Sequence, residues 1–152
     1  MDIEARLKEL GITLPAPPAP VAAYVPFTIS GKQVFIAGQL PLVDGKLQFA
    51  GHLGGTVSME DGQAAARICA INLLAQLKAA CGDLSRVKAC LKLGVFISAT
   101  ADYTQHPEVA NGASELMAAV LGEAGKLSRS VGGGHALPRG AAVEVDSVFE
   151  LT

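Results

Sequence analysis

The chain has 152 residues, the length of one globular domain, which leaves no room for a second catalytic domain. Its 12 Lys and Arg against 14 Asp and Glu give a net charge of −2, so it lacks the basic excess with which proteins bind nucleic acids nonspecifically. A helix that crosses a bilayer needs about 20 apolar residues, and no uninterrupted apolar run in the chain approaches that length. We therefore expect a soluble protein that binds neither nucleic acid nor membrane.

Charged residues make up only 17% of the chain, below the about 25% typical of soluble domains, and the mean hydropathy is positive at +0.38. A surface this poor in charge is usually covered by other subunits, which predicts an oligomer. The opening residues 1–4 lack the basic region and the apolar stretch of a secretory signal. We therefore expect a cytoplasmic location.

The three cysteines and three histidines show no metal-ligand spacing. No two cysteines are separated by only two residues, and no cysteine has a histidine nearby in the sequence. We expect no metal or other cofactor, and we expect three reduced thiols that act as small core residues. The residues concerned are Cys69, Cys81, Cys90, His52, His106 and His135.

The first 20 residues form an N-terminal extension in two parts. Apolar residues at helical spacing predict a short amphipathic helix over residues 1–10, which Gly11 ends. Four of the eight prolines then fall within residues 14–20, where their missing N–H groups favour an extended linker along the surface. We expect the folded core and domain to occupy residues 21–152. The apolar residues of the short helix are Ile3, Leu7 and Leu10.

Two β-rich runs, residues 24–29 and 33–37, flank a three-residue connection, Ser30-Gly31-Lys32, and predict a β-hairpin. A turn over residues 43–46 then leads into a weaker strand or loop that extends to Thr56.

A capping signal at Ser58 and a glycine at position 82 bound a long helix over residues 59–81. Apolar residues three or four positions apart predict that one face of this helix packs on a sheet. They are Ala64, Ile68, Ile71 and Ala75.

The C-terminal half continues with a nearly continuous apolar run over residues 87–97, as in a strand buried on both faces, and a helix from Pro107 to Gly122. A strand around residues 128–131 and an alternating strand over residues 142–151 follow. The order of elements predicts an α+β fold in which two helices cover one face of a mixed sheet. The other face is left bare, which again predicts an oligomer.

Arg129 is the most informative single residue. It lies among small residues and precedes three glycines, so its guanidinium has room to pair with a carboxylate or phosphate. The alternative is a surface arginine in a salt bridge. The run Gly132–Gly134 lacks the strand, helix and lysine of a phosphate-binding loop, so a flexible bend or bulge is the favoured interpretation.

Glu144 and Asp146 share one face of the last predicted strand, and Val143 and Val145 take the other. Facing solvent, the two acids keep a sheet edge soluble; buried at an interface near Arg129, one of them positions water or takes a proton. Tyr24 and Asn111 are ambiguous in the same way. Each is a candidate for lining a pocket or for an ordinary surface contact.

Short motifs in conserved order over residues 21–150 resemble those of the YjgF/RidA family, the reactive intermediate deaminases also called endoribonuclease L-PSP. The first half contributes A-Y-V before the hairpin and G-Q-L-P after it. The second half contributes R-S-V, L-P-R-G and V-E-V. The residues that carry the resemblance are Ala23–Val25, Phe35–Pro41, Gly82–Leu84, Val87–Ile97, Asn111, Ser128–Val131 and Leu137–Val145.

The resemblance implies a chorismate-mutase-like fold of the bacillary type, assembled as a trimeric barrel with clefts between the subunits. It also implies hydrolysis of the enamines and imines of short 2-oxo acids, such as 2-aminoacrylate, to the 2-oxo acid and ammonia without a cofactor. Arg129 then holds the substrate carboxylate, Glu144 positions the attacking water and Tyr24 lines the cleft. Further substrate-binding residues on this reading are Asn111, Gly38, Val131 and Gly132.

The chain also departs from the family pattern. Val131 stands where many members have cysteine, Gly132–Gly134 replace bulkier residues, and Ala37 stands where serine often precedes G-Q. Residues 1–20 lie outside the common core, which indicates a divergent subgroup. The alternative functions are a non-catalytic or differently specific trimer that binds small carboxylate metabolites and, against the charge balance, a ribonuclease.

Overall fold

A five-stranded mixed sheet carries two long helices on one face. The computed structural model describes residues 1–20 and 22–152; Val21, where the predicted domain begins, lies outside the described residues. The strands are β1 (Phe27–Ser30), β2 (Gln33–Gln39), β3 (Leu42–Val43), β4 (Lys46–Leu47), β5 (Val87–Ser98), β6 (Ser128–Gly134) and β7 (Val143–Leu151). The helices are α1 (Ile3–Glu9), α2 (Met59–Cys81) and α3 (His106–Leu121), and 3-10 turns lie at Leu84–Arg86, Gly122–Gly125 and Pro138–Gly140.

The main sheet has the strand order β1-β2-β7-β5-β6, and β3 and β4 form a separate small hairpin. β5 and β6 are parallel, joined through α3, and the other neighbours are antiparallel. This arrangement confirms the predicted α+β class. It makes β6 an edge strand and β7 the middle strand, so the last strand of the chain lies at the centre of the sheet.

The predicted hairpin is present with a shorter turn. Ser30 pairs directly with Gln33, so the connection is the two residues Gly31 and Lys32 rather than three. Gly31 has a φ of +59°, which is the left-handed backbone that tight hairpin turns require and glycine adopts without strain.

Helix α2 has the predicted bounds. The Ser58 hydroxyl accepts a hydrogen bond of 3.1 Å from the Asp61 N–H, and Gly82 ends the helix with a φ of +77°. Of the predicted buried stripe, Ala75 is buried at 3% exposure, whereas Ala64, Ile68 and Ile71 are only partly buried. α2 packs against both the sheet and α3, so its buried arc is wider than a one-sided pattern suggests. The fully buried apolar residues include Ala65, Ala66, Cys69, Leu73 and Leu77.

By length and composition alone, α2 meets the criterion for a membrane span. Most of its apolar window is buried inside the protein. Its hydropathy is therefore accounted for by its position between the sheet and α3.

The core reaches into the N-terminal extension, which the sequence excludes from it. Ile3 and Leu7 of α1 are each 2% exposed and belong to the same apolar cluster as the sheet and helices. The Arg6 guanidinium donates two hydrogen bonds, of 3.1 and 2.9 Å, to the Ala119 carbonyl near the end of α3. Leu10, predicted on the same face, lies at its exposed margin.

The face of the sheet opposite the helices is open and partly apolar, as the order of elements predicts. Phe35 of β2 and Phe96 of β5 are 42% and 45% exposed there. Phe35 pairs with Val148 and Phe96 with Glu144, so the open face combines aromatic rings with an acidic strand.

The glycine run is a regular strand, so the predicted bend or bulge is wrong. Gly132–Gly134 pair in parallel register with Phe96–Ser98 of β5. The His106 ring occupies the space that a side chain at Gly133 would need. The missing side chain thus lets the start of α3 approach β6, while backbone pairing holds the strand straight.

Candidate functional site

A cavity of about 470 Å³ lies where β2 and β7 approach the N-terminal extension. It brings together three predicted site residues, Tyr24, Gly38 and Glu144. Most of its wall is apolar, and Glu144 supplies the only ionisable carboxyl among the described lining residues. The remaining lining residues are Pro18, Ala19, Pro20, Ala22, Pro26, Gln39, Leu40, Leu42, Gln76 and Pro138.

A β-bulge in β2 brings Gly38 against Glu144. Ile36 pairs with Ser147 and Gln39 with Val145, so β2 has one more residue than β7 between these pairs. The Nε2 group of the Gln39 side chain donates a hydrogen bond of 3.0 Å to the Ala37 carbonyl across this bulge. Glu144 Oε1 fills the space beside Gly38 where a side chain at that position would start.

Glu144 and Asp146 lie on the open face of β7, as the alternation predicts, and Val143 and Val145 are buried on the other face. Burial raises the pKa of Glu144, and the neighbouring Asp146 charge raises it further. Burial also raises the pKa of Asp146, against a hydrogen bond with the Gly94 backbone and the charge of Lys92. The paired acids therefore retain protons at higher pH than isolated carboxyls do.

Arg129 is held against α3 by neutral groups. Its Nη1 donates 2.9 Å to Asn111 Oδ1 and 2.9 Å to Ser114 Oγ, and Nη2 lies 3.4 Å from the Pro107 carbonyl. No carboxylate among the described residues of this protomer forms a salt bridge with Arg129. Since both Nη1 hydrogens and one Nη2 hydrogen are engaged, the Nε hydrogen and the second Nη2 hydrogen remain as a side-on fork for a carboxylate.

Within one protomer, Arg129 and Glu144 lie on opposite faces of the sheet. Arg129 pairs with the buried Leu93 of β5, whereas Glu144 pairs with the exposed Phe96 three residues further along the same strand. An odd separation along a strand reverses the face. Within a single subunit, the structure thus does not bring together the two residues predicted to be catalytic.

The other predicted contacts divide in the same way. Asn111 accepts from Arg129 on α3. Val131 is partly buried against the core on the Arg129 side of β6, and Gly132 is exposed on the open face with free space around it. Asn111 and Val131 thus lie with Arg129 on the helix side of the sheet, whereas Gly132 shares the open face with Glu144, with Phe96 of β5 between them.

Three polar residues of these sites were not predicted. Ser114 lies three positions after Asn111 on α3, a spacing that places both on one helix face and is a signal visible in the sequence. Gln39 and Gln76 are buried, at 6% and 1% exposure, and contact the cavity. A glutamine within an apolar helical run is the only sequence signal for Gln76.

The cysteines are free and buried, as predicted. Burial raises the pKa of Cys90 to about 12 and that of Cys69 well above its ordinary value. These thiols therefore remain protonated and unreactive at neutral pH. In the part of the chain that the structure describes, no three His, Cys, Asp or Glu side chains are grouped to hold a metal ion.

Sequence and structure comparisons agree on the relatives of this α+β chain. A family profile described as "YjgF/chorismate_mutase-like, putative endoribonuclease" matches residues 4–150. "Protein TCP17" of Trypanosoma cruzi is 46% identical over 150 residues, which cover 98% of this chain and 94% of that protein. The chain belongs to the YjgF/chorismate-mutase-like family.

Solved structures show the same fold. A "putative endoribonuclease" of Shewanella oneidensis has a TM-score of 0.96 at 36% identity and covers 99% of this chain and 100% of its own. RidA of the Antarctic bacterium Psychrobacter sp. PAMC 21119 has a TM-score of 0.62 at 27% identity, covering 89% and 94%. The near-complete coverage by the first structure means that this relative shares the N-terminal extension.

Proposed function

We propose that the protein hydrolyses reactive enamines and imines of short 2-oxo acids, releasing the 2-oxo acid and ammonia. The observation that carries this proposal is the cavity shared by Tyr24, Gly38 and Glu144, in which a carboxyl with a raised pKa faces an otherwise apolar space. A carboxyl that keeps its proton to higher pH than an isolated carboxyl is suited to proton transfer at a reacting group. The resemblance to the reactive intermediate deaminases supports the same reaction.

The complete site is formed between subunits of a homotrimer, in which the edge strand of one copy closes the cavity of the next. Two features support this arrangement. Arg129 and Glu144 lie on opposite faces within one protomer, so a second copy is needed to join them. Phe35 and Phe96 also leave an apolar face exposed that an assembly would cover.

In the proposed reaction, the Arg129 fork pairs with the substrate carboxylate and fixes the C=N carbon near Glu144. An enamine first takes a proton from solvent on its methylene carbon and becomes the iminium ion. Water then adds to the C=N carbon as Glu144 accepts one of its protons, giving a neutral carbinolamine. Glu144 returns that proton to the nitrogen, the C–N bond breaks and ammonia leaves, while the hydroxyl group releases its proton to solvent as the C=O bond forms.

The reaction requires orientation and proton transfer only, so we propose that it needs neither a metal nor an organic cofactor. We propose a cytoplasmic location, where enzymes that eliminate water or transfer hydride from amino acids produce such imines.

A second candidate function is binding of small carboxylate metabolites without turnover. The fixed geometry of Arg129 favours it as much as it favours catalysis, because Asn111 and Ser114 orient the fork before any ligand binds. The two functions differ in turnover rather than in affinity.

The test generates 2-aminoacrylate in situ with a pyridoxal-phosphate-dependent dehydratase and measures pyruvate release with and without the protein. We expect acceleration that Arg129→Ala abolishes and Glu144→Gln lowers, with pyruvate binding retained in Glu144→Gln. Binding of pyruvate without acceleration in the native protein would establish the second candidate instead. Sedimentation as a 15.5 kDa monomer at micromolar concentration would overturn the intersubunit site.

A further inference from the structure

We propose that Gln76 and the segment Pro18–Pro20 form a specificity-determining wall of the cavity, which selects substrates with an apolar side chain. This inference rests on the proposed function. It assigns a role to the N-terminal extension, which contributes Pro18, Ala19 and Pro20 to the same cavity as Tyr24 and Glu144.

The wall is fastened by a part-buried hydrogen bond from a buried side chain. Gln76 on α2 is 1% exposed, and its Nε2 donates 2.7 Å to the Pro18 carbonyl. The same amide lies 3.5 Å from Gln39 Oε1. Leaving the buried side-chain N–H groups of Gln76 without an acceptor would cost free energy. The Pro18 carbonyl supplies an acceptor, so this bond favours the position that the extended segment has in the structure.

This polar network joins the wall to the floor of the cavity. Gln39, which contacts Gln76, also spans the bulge that places Gly38 beside Glu144. Gln76 thus lies between the segment that lines one side of the cavity and the bulge that positions the carboxyl. A change at Gln76 therefore affects the shape of the cavity without removing a group that reacts.

The segment is also anchored on its N-terminal side. Ile12 and Leu14 pack against the core, and α1 is fixed to α3 through Arg6. Three of the four residues 17–20 are prolines, whose restricted φ lowers the entropy lost when the segment is held in place. The wall is thus anchored before residue 18 by the extension's own contacts with the core and α3, and at Pro18 by Gln76 of α2.

The chemistry of the wall defines what it recognises. Proline rings and alanine methyl groups offer apolar contact and no N–H donor from Pro18 or Pro20. With the carboxylate of the substrate held by Arg129 and the C=N carbon near Glu144, a side chain on the reacting carbon extends into this apolar space. A substrate with only a methyl group leaves most of the wall without contact.

The experiment compares two imines made in situ by an L-amino acid oxidase, one from leucine and one from alanine, in native protein and in Gln76→Leu. We expect the ratio of kcat/KM for the leucine-derived imine to kcat/KM for the alanine-derived imine to fall about tenfold in Gln76→Leu, the scale of a lost apolar contact in a pocket. Gln63→Leu is the matched control, because Gln63 on the same helix donates 2.9 Å to the Glu108 carbonyl and lies outside the cavity lining.

A second variant guards against misfolding of Gln76→Leu. Ala19 is exposed and lines the cavity, so Ala19→Phe fills the apolar space at no cost to the core. We expect it to lower kcat/KM for the leucine-derived imine while the alanine-derived imine is still hydrolysed. If kcat/KM falls equally for both imines, or if the ratio of the two kcat/KM values is unchanged in both variants, the proposed role of the wall is overturned.

Failure of the proposed function has a different signature. If the native protein accelerates hydrolysis of neither imine, the deaminase is overturned, and the wall is then judged by calorimetry with pyruvate and 4-methyl-2-oxopentanoate. A loss in Gln76→Leu confined to the larger acid supports the wall. Equal loss for both acids, or none, overturns it.

Discussion

Glu144 Oε1 occupies the space that any side chain at position 38 would need, so Gly38 and Glu144 form one structural unit. The bulge in β2 brings the Gly38 backbone against the Glu144 carboxyl, and both residues line the neighbouring cavity. The position of this carboxyl thus depends on the absence of a side chain on the adjacent strand.

Gly38→Ala is expected to displace the Glu144 carboxyl and to lower the hydrolysis rate at least about tenfold, because a shift of about 1 Å at a reacting group has large rate effects. The far end of a flexible side chain moves, so the fold is retained. Steady-state rates and thermal melts together test this. Gly134→Ala is the control, since the nearest heavy atom that an added Cβ would meet there, the Ala136 carbonyl oxygen, is 3.9 Å away. An equal loss of rate in that variant contradicts the expectation.

Activity is expected to fall on acidification at a pH above the ordinary range of a glutamate. Glu144 must be ionised to accept a proton, and burial and Asp146 raise its pKa, so acid inactivates it early. Asp146→Asn removes the like charge, the smaller cause, and moves the acidic limb of kcat/KM to lower pH. A pH-rate profile that is identical in both proteins would show that Glu144 does not control this limb.

Glu144→Gln is expected to stabilise the protein at neutral pH. A carboxyl whose pKa is raised in the folded state contributes its full stability below the pKa that it has in the unfolded chain, about 4. This contribution is lost as the pH rises through the higher pKa of the folded state. Because the group is partly solvent-screened, we expect less than about 1 kcal/mol, or about 2–4 °C in Tm. Thermal melts of the native protein and of Glu144→Gln at pH 8 and pH 4 test this. A larger increase in Tm of the variant at pH 4 than at pH 8 would contradict the expectation.

Ser114 is expected to act as a positioning residue for Arg129. Ser114→Ala removes one of two acceptors for Nη1 and should weaken binding of pyruvate about three- to tenfold by calorimetry, with Ser114→Thr restoring it. Ser128→Ala is the matched control. Ser128 precedes Arg129 on β6, and its hydroxyl donates a hydrogen bond of 3.1 Å to the Leu91 carbonyl rather than contacting the guanidinium. Weakening of the same size in both alanine variants would assign Ser114 a merely structural role.

The first helix is expected to contribute to the stability of the whole domain. Leu7 is 2% exposed, so Leu7→Ala should lower the free energy of unfolding by about 2–4 kcal/mol. Leu10, the C-cap residue of the same helix, is 36% exposed, and Leu10→Ala should cost less than about 0.5 kcal/mol. Denaturant unfolding compares the two, and equal costs would mean that α1 does not pack as a core helix.

Local signals in the sequence determined the elements. Ser58 and Gly82 bound α2 because a side-chain acceptor and a left-handed residue satisfy helix ends locally. The alternation at Glu144 and Asp146 predicted their shared face because the strand period is two. The family motifs, which are also short and contiguous, predicted the fold class.

Tertiary structure alone decided how these elements form sites. The parallel pairing of β5 and β6 through α3 straightens the glycine run and places Arg129 on the face opposite Glu144. The bond from Gln76 to Pro18 joins residues 58 positions apart and makes the extension part of the cavity. Such relationships depend on strand order and on packing between distant segments, which periodicity and capping do not encode because both act over only a few residues.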